Sequence, residues 1–264
     1  MTPEQLRALL CEVAARAART GELPDEAEAG PPAGPLFRPA DPRSAGVVAD
    51  WVTPVAQRWA PQLGLAPRDL ARTLAQGMVE QRPVSAVEVA PTGLIALTLE
   101  DADRAAIIEV VRSEADTYAC PHGTAHVEVT ERPGQRDATD PLRAVQLAHA
   151  RLCRLVRNAE AAGVQVRAST RPEVLTHVTE RHLLVALADL PQRLEHHRGD
   201  TAAQVRALGE VGRLADAWDH PLRPRVVDAP IAGVHGARLA LADAARVVLR
   251  NGLGRLGAAA PERM

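Results

Sequence analysis

The chain has 264 residues and contains no lysine, so all 31 of its basic side chains are arginine. Aromatic residues make up only 2% of it, and a core must therefore be built mainly from leucine, valine and alanine. So few aromatic rings also leave little surface on which nucleic-acid bases could stack. Arginine, in contrast, suits the bidentate recognition of phosphate and carboxylate groups.

Other absences exclude whole classes of site. The sequence has no Gly-rich phosphate loop and no GxxxxGK[ST] pattern, which argues against a P-loop nucleotide site. It shows no basic-then-apolar leader and no long uncharged apolar run, so we expect a soluble, cytoplasmic protein without a membrane partner. The three cysteines, Cys11, Cys120 and Cys153, are odd in number and widely spaced, which favours reduced structural thiols.

Charge divides the chain at about residue 140. From Asp140 onward there are 18 arginines and 13 acidic residues, a net +5, whereas the preceding part has 13 arginines and 20 acidic residues, a net −7. A basic C-terminal half is what phosphate binding requires. The excess is modest, however, which argues against tight, indiscriminate binding to nucleic acid, and no DNA partner is expected.

Sequence patterns predict an α+β domain over residues 1–112. A Pro/Gly/Glu-rich tract over residues 22–43 predicts a mobile loop or extended arm. Alternation over residues 85–99 predicts two short strands joined at Pro91-Thr92-Gly93. Helices are predicted over residues 2–20, about 47–59, about 67–80 and 101–112.

From Asp140 the hydrophobic period is helical throughout, which predicts an all-α bundle over residues 140–264. Asp140 and Pro141 provide an N-cap and a first turn, and Pro191 is expected to stop the second helix. Residues 113–139, rich in Pro, Gly, Thr and charge, predict a linker or hairpin between the two domains. Bundle helices are predicted from Asp140 to Gly163, Pro172 to Ala188, Asp200 or Thr201 to about Trp218, and Ala237 to Leu256.

Three segments carry a family resemblance. Residues 144–159 (AVQLAHARLCRLVRNA) and 236–264 (GARLALADAARVVLRNGLGRLGAAAPERM) resemble the helical anticodon-binding (DALR) domain that ends arginyl-tRNA synthetases. Residues 87–99 (VEVAPTGLIALTL) resemble the strand segment of the N-terminal tRNA-binding domain of the same enzymes. The resemblance implies the two tRNA-binding ends of a synthetase, with residues 113–139 in place of its catalytic domain.

The resemblance does not extend to catalysis. The HxGH sequence and the lysine-bearing KMS-like loop of the family are absent, and residues 113–139 leave no room for a nucleotide-binding domain, because one βαβ unit alone takes about 30 residues. We therefore expect neither enzyme activity nor a cofactor. The segment from His122 to His126 could be an eroded HxGH, and Cys120, His122 and His126 could instead bind zinc, but polar residues in a surface loop are the favoured interpretation.

The resemblance also implies a tRNA-binding surface on the first and last bundle helices. Residues 146–151 (QLAHAR) match a QYAHAR-like sequence of the family, with Leu147 in place of the tyrosine. Arg246 and Arg250 lie one turn apart and could contact successive phosphates. His149 is more simply explained as a core histidine. Any one arginine is more simply explained as a solvated residue or as a partner in an intrahelical pair with an acid such as Asp243. The predicted tRNA-binding residues are Gln146, His149, Arg151, Arg154, Arg157, Arg246, Arg250, Asn251 and Met264.

The N-terminal domain departs further from the family. Where the family has a GDYATN-like segment, residues 46–51 read GVVADW, so only a displaced Asp50 and Trp51 remain. Recognition of the tRNA elbow is therefore not expected to carry over.

Together these features predict a pseudoenzyme related to the synthetases that binds tRNA, with tRNA(Arg) implied. It would act as an adaptor that presents tRNA to a partner enzyme, or as a competitor of the true synthetase. Two alternatives stay open: a protein-interaction scaffold that has lost tRNA binding, and an accessory subunit of a separately encoded arginine-tRNA ligase.

Overall fold

The structure is a computed structural model that describes residues 1–41, 49–120, 137, 139–165, 171–218, 222 and 230–264. The chain divides into two compact units, Met1–Arg104 and Ala105–Met264. The first unit combines helices with a small sheet, and the second contains helices and no strand among its described residues. The predicted class, an α+β domain followed by a helical bundle, is confirmed. No helix in the described ranges is both long and apolar enough to cross a membrane.

The first helix, α1, covers Pro3–Arg19 and confirms the prediction for residues 2–20. Thr2 caps it, and Gln5 donates and accepts in a reciprocal capping box with Thr2. Leu6, Leu10 and Val13 are buried on one face. The periodicity of the sequence therefore identified the face that packs into the core.

The Pro/Gly/Glu-rich tract is ordered against the helices of this unit in its described part, so the prediction of a mobile loop or extended arm is wrong there. Leu36 and Phe37 are buried, and a 3-10 helix covers Asp25–Ala29. Because prolines have no backbone N–H, carbonyl groups of the tract lack a nearby backbone donor for a hydrogen bond. Guanidinium groups of Arg7 and Arg58 supply the donors. The accepting carbonyls are those of Pro31, Pro32, Ala33, Gly34 and Pro35.

The sheet in the described part of the first unit has four antiparallel strands: β1 Arg38–Pro39, β2 Trp51–Thr53, β3 Val84–Val89 and β4 Ile95–Leu99. They lie in the order β1-β2-β4-β3. The predicted hairpin is confirmed, and Gly93 in its turn has a φ of +85°. Trp51 pairs with Leu97 where a helix from residue 47 was expected. That helix prediction is wrong over residues 51–53, because the burial there alternates with a period of two.

A buried ion pair between Asp50 and Arg104 lies within the first unit. The Asp50 carboxylate accepts from Arg104 Nε at 2.8 Å and from the Leu99 amide at 2.8 Å. Asp50, which the sequence analysis singled out in the GDYATN-like position, is therefore engaged inside the unit; residues 46–48 of that segment lie outside the described residues. Further helices of this unit are α2 Val55–Trp59, a 3-10 helix Ala60–Leu63, α3 Pro67–Val79 and α4 Asp101–Ala105.

Five long or medium helices form the described part of the second unit. The first of them packs on the last, which places the division between the units at Arg104 rather than at the predicted residue 112. The closing helix predicted over 101–112 is accordingly interrupted between residues 105 and 107. The helices are α5 Ile107–Glu114, α6 Pro141–Ala161, α7 Val178–His196, α8 Thr201–Ala217 and α9 Gly233–Arg255, with 3-10 helices Ala115–Thr117 and Pro172–Val174.

Pro191 lies inside α7, so the prediction that it ends this helix is wrong. A proline in a helix frees the carbonyl four residues earlier, which here is that of Leu187. The Tyr118 hydroxyl donates to this carbonyl at 2.7 Å and is itself buried. The only tyrosine of the chain therefore supplies the hydrogen bond that the proline cannot. At the other end, α7 begins six residues later than predicted, at Val178, after a cap at His177.

Candidate nucleic-acid interface

Helix α6 carries much of the candidate site, and local sequence signals determine where this helix begins. The Asp140 carboxylate accepts from the Leu142 amide at 2.9 Å, and Pro141 occupies the first turn, as predicted. Val145, Leu152 and other apolar side chains of one face are buried in the bundle. The opposite side of the helix carries arginines toward solvent.

Two predicted tRNA-binding residues hold the C-terminal tail, residues 258–264, against α6. Gln146 Nε2 donates to the Ala259 carbonyl at 2.9 Å, and His149 Nδ1 donates to the Pro261 carbonyl at 2.9 Å. Both side chains are fully buried in the bundle. Burial, the main cause, lowers the pKa of His149 below its ordinary value of 6.5, although the bond to Pro261 acts in the opposite direction. In the structure these two residues therefore position the tail, and their side chains are not exposed to a ligand.

A groove of about 470 Å³ lies between α6 and the tail. We call it the tail groove. Leu147 and Met264 are apolar side chains on its wall, 45% and 47% exposed. Four of its side chains are arginines and two are acidic, an excess of positive charge that suits phosphate groups. Its lining residues are Leu147, Ala150, Arg151, Arg154, Arg157, Asp216, Glu262, Arg263 and Met264.

The arginines of the tail groove differ in their freedom. Arg151 donates to the carbonyls of Ala215 at 2.6 Å and Trp218 at 3.2 Å, and so closes the C-terminal end of α8. In contrast, Arg154 and Arg263 are exposed, and neither has a hydrogen-bond or ion-pair partner among the described residues. Within the part of the chain that the structure describes, no protein group engages these two guanidinium groups.

A second groove, of about 390 Å³, lies between α6 and α9. We call it the Cys153 groove. Arg246 projects into it and donates to Asp243 at 2.6 Å. Burial, the main cause, raises the pKa of the Cys153 thiol, so a structural role suits this cysteine better than a reactive one. Its lining residues are Arg112, Cys153, Val156, Arg157, Glu160, Leu239, Asp243, Arg246 and Glu262.

Two further predicted residues on α9 lie outside both grooves. Arg250 forms an ion pair with Asp116. Asn251 is buried, and its Nδ2 donates to the carbonyls of Ala115 at 2.8 Å and Tyr118 at 3.0 Å. Asn251 therefore fixes the segment that follows α5 onto α9. Arg246 and Arg250 are one turn apart, as predicted, but each is held by a carboxylate of its own.

Sequence reasoning did not select Glu262 and Arg263, although both line the tail groove. The available signal was their position beside Met264, inside the APERM segment that resembled the family's ending. The zinc hypothesis falls largely outside the described residues, since His122 and His126 do. Within the described ranges, no group of three His, Cys, Asp or Glu side chains is arranged to hold a metal ion.

Comparison with known proteins shows what the region around this site is similar to. Residues 145–264 match the model of the DALR anticodon binding domain. Most of the C-terminal unit is therefore similar to a DALR anticodon-binding domain. The match includes every lining residue of the two grooves except Arg112.

Similar proteins extend the resemblance beyond that domain. The chain is 35% identical to the arginine–tRNA ligase of Clavibacter sepedonicus over 180 residues, 64% of this chain and 30% of that enzyme. It is 34% identical to the arginine–tRNA ligase of Kineococcus radiotolerans over 180 residues, which are again 64% of this chain and 30% of that enzyme. It is 40% identical to that of Frankia alni over 139 residues, 49% of this chain and 24% of the enzyme. The chain therefore spans less than a third of the length of these relatives, and the predicted resemblance to arginyl-tRNA synthetases is confirmed.

Proposed function

We propose that this chain binds tRNA through the tail groove of its DALR domain without aminoacylating it. One observation carries the proposal: two arginines without a hydrogen-bond or ion-pair partner among the described residues, Arg154 and Arg263, share a groove with two exposed apolar side chains, Leu147 and Met264. Cationic forks suit backbone phosphates, and the exposed apolar surface suits the face of an unstacked base. A single-stranded loop of tRNA presents both kinds of group, backbone phosphates and unstacked bases.

The groove favours phosphate contacts over base recognition. Leu147, in the place of the family's tyrosine, offers no aromatic ring, and stacking of a base on such a ring contributes about 1–3 kcal/mol where it occurs. We therefore propose binding that depends strongly on salt and that discriminates modestly between anticodon sequences. The relatives are arginine–tRNA ligases, so tRNA(Arg) is the first ligand to test.

The non-catalytic part of the proposal rests on the sequence between the resembling segments. Residues 113–139 are fewer than one βαβ unit needs, which is about 30, and the lysine-free sequence has no counterpart of the KMS-like loop. Binding without catalysis would make the chain a competitor of an arginine–tRNA ligase or an adaptor that delivers tRNA to one.

Equilibrium binding separates tRNA binding from the scaffold alternative. Purified protein is titrated into labelled tRNA(Arg) and into a non-cognate tRNA at several ionic strengths. Binding through single-stranded phosphates predicts that log K falls by about 0.7 per contacted phosphate for each tenfold rise in salt. No binding at low ionic strength would refute the proposal and leave the scaffold alternative.

A competition assay then separates the two modes of action. Aminoacylation of limiting tRNA(Arg) by a complete arginine–tRNA ligase is followed with increasing amounts of this chain. A competitor lowers the rate by sequestering tRNA, and excess tRNA restores it. An adaptor raises the rate at low tRNA concentration.

A further inference from the structure

The tail groove and the Cys153 groove are neighbours that share two wall residues, Arg157 and Glu262. Arg157 Nη1 lies 3.4 Å from Glu262 Oε2, and Arg157 Nη2 donates to the Glu262 backbone carbonyl at 3.3 Å. This single ion pair therefore stands at the junction of the two grooves.

The charges on either side of the junction are unequal. The tail groove has four arginine and two acidic side chains. The Cys153 groove has three of each, so its positive charge is cancelled. Glu262 is counted in both sets, and without its carboxylate both grooves would carry a net positive charge. One tail residue thus limits the attraction of both grooves for an anion.

The Glu262 carboxylate is easily displaced from Arg157. Its side chain is 71% exposed, and an ion pair of this kind contributes little because water and salt compete for both partners. The tail itself does not depend on this side chain, since buried Gln146 and His149 hold the carbonyls of Ala259 and Pro261. The carboxylate can leave Arg157 while the tail stays in place.

We propose that Glu262 occupies the position of an RNA backbone phosphate on Arg157, and that a bound RNA strand displaces it. The strand then continues from the tail groove into the Cys153 groove, where Arg112 and Arg246 line its path. Glu262 is on this account an affinity-determining residue that weakens binding and keeps it reversible. This inference rests on the proposed function, because it concerns the same RNA ligand.

The test compares two charge-removing variants of the full chain with the same tRNA. Glu262→Gln frees Arg157, whereas Glu160→Gln removes an equal charge from the wall of the Cys153 groove without touching an ion pair among the described residues. We expect Glu262→Gln to bind about two- to fivefold more tightly than the original chain, the range that release of an exposed pair allows. Its salt slope should stay close to that of the original chain, because the bound strand contacts Arg157 through the same phosphate in both proteins. Glu160→Gln should change affinity less and leave the slope unaltered.

A double-mutant cycle with Arg157→Ala identifies the partner through which Glu262 acts. In that background, Glu262→Gln should bring no gain in affinity. An equal gain with and without Arg157, an equal gain from Glu160→Gln, or weaker binding of Glu262→Gln would overturn the inference while leaving the proposed function intact. If the original chain binds no tRNA at low salt, the proposed function fails, and the inference fails with it.

Discussion

Arg151 and Arg154 lie one turn apart on the same wall of the tail groove, yet their replacement should have opposite consequences. Arg151→Ala removes two charged hydrogen bonds, at 2.6 and 3.2 Å, to carbonyls at the end of α8. Arg154→Ala removes no hydrogen bond or ion pair with the described residues. We therefore expect Arg151→Ala to loosen the end of α8, and Arg154→Ala to weaken RNA binding without affecting the fold.

The magnitude follows from the chemistry of these bonds. A hydrogen bond to a charged group contributes about 1.5–3 kcal/mol when solvent is excluded, and the partial exposure of Arg151 reduces that. We expect a local loss of about 1–3 kcal/mol, which corresponds to about five- to 150-fold faster amide exchange because 1.4 kcal/mol is a factor of ten. Arg154→Ala should stay within about 0.5 kcal/mol, as surface substitutions do.

Hydrogen–deuterium exchange of the peptide that covers the last turn of α8 measures this directly. It reports on local opening and does not require the two units of the chain to unfold together. Arg151→Lys is the matched control, since lysine keeps the charge but cannot present a fork to two carbonyls, and most of the loss should persist. Equal exchange in Arg151→Ala and Arg154→Ala would refute this division of roles.

Three further predictions concern the bundle. Asn251→Ala should lower the free energy of unfolding by about 1–3 kcal/mol, because two backbone carbonyls lose their donor, and a urea titration showing no loss would contradict its structural role. The pKa of His149 is lower in the folded state than in the unfolded chain, so the unfolded chain takes up a proton more readily. The contribution of His149 to the free energy of unfolding is therefore fully present above pH 6.5. It falls as pH drops from that value toward the folded pKa, by at most about 1.4 kcal/mol per pH unit. His149→Gln should flatten that pH dependence in urea titrations at several pH values, and an unchanged profile would exclude His149 as its source. Gly252→Ala would place a Cβ 2.2 Å from Leu208 Cδ2 and should leave the protein about 1–3 kcal/mol less stable than Gly209→Ala, whose Cβ meets nothing within 4 Å; equal melting temperatures would show that the core adjusts without cost.

Local signals in the sequence predicted much of the fold. Thr2, Asp140 and Asp200 were correctly identified as helix starts, because a capping side chain and its helix are adjacent in sequence. The hairpin around Gly93 is similarly local. The fold class followed from these elements and from the change of period at residue 140.

Features that depend on distant partners were not predictable in the same way. Pro191 is tolerated inside α7 because the hydroxyl of Tyr118, 73 positions earlier in the chain, donates to the Leu187 carbonyl that the proline leaves without a donor. Residues 51–53 form a strand because Leu97 and its neighbours pair with them. Neither partner can be recognised from the pattern around the residue itself, since nothing local records which segments meet.

The candidate site shows the same division. The resemblance identified α6 and the last helix, but it could not separate arginines that hold the structure from those that are free. Arg151 and Asn251 have partners on other elements, whereas Arg154 has none among the described residues. That distinction depends on tertiary contacts, and so did the part played by Glu262.

The most direct test of the central claim asks whether the tail groove is where tRNA binds. Affinity for tRNA(Arg) is measured for Arg154→Ala/Arg263→Ala and for a matched double variant, Arg206→Ala/Arg213→Ala, whose arginines are exposed on α8 and line neither groove. The account predicts that the first variant loses most of the affinity and about 1.4 of the salt slope, two single-stranded phosphate contacts, while the control loses neither. Equal losses in the two variants would show that tRNA is attracted by overall charge and not by this groove.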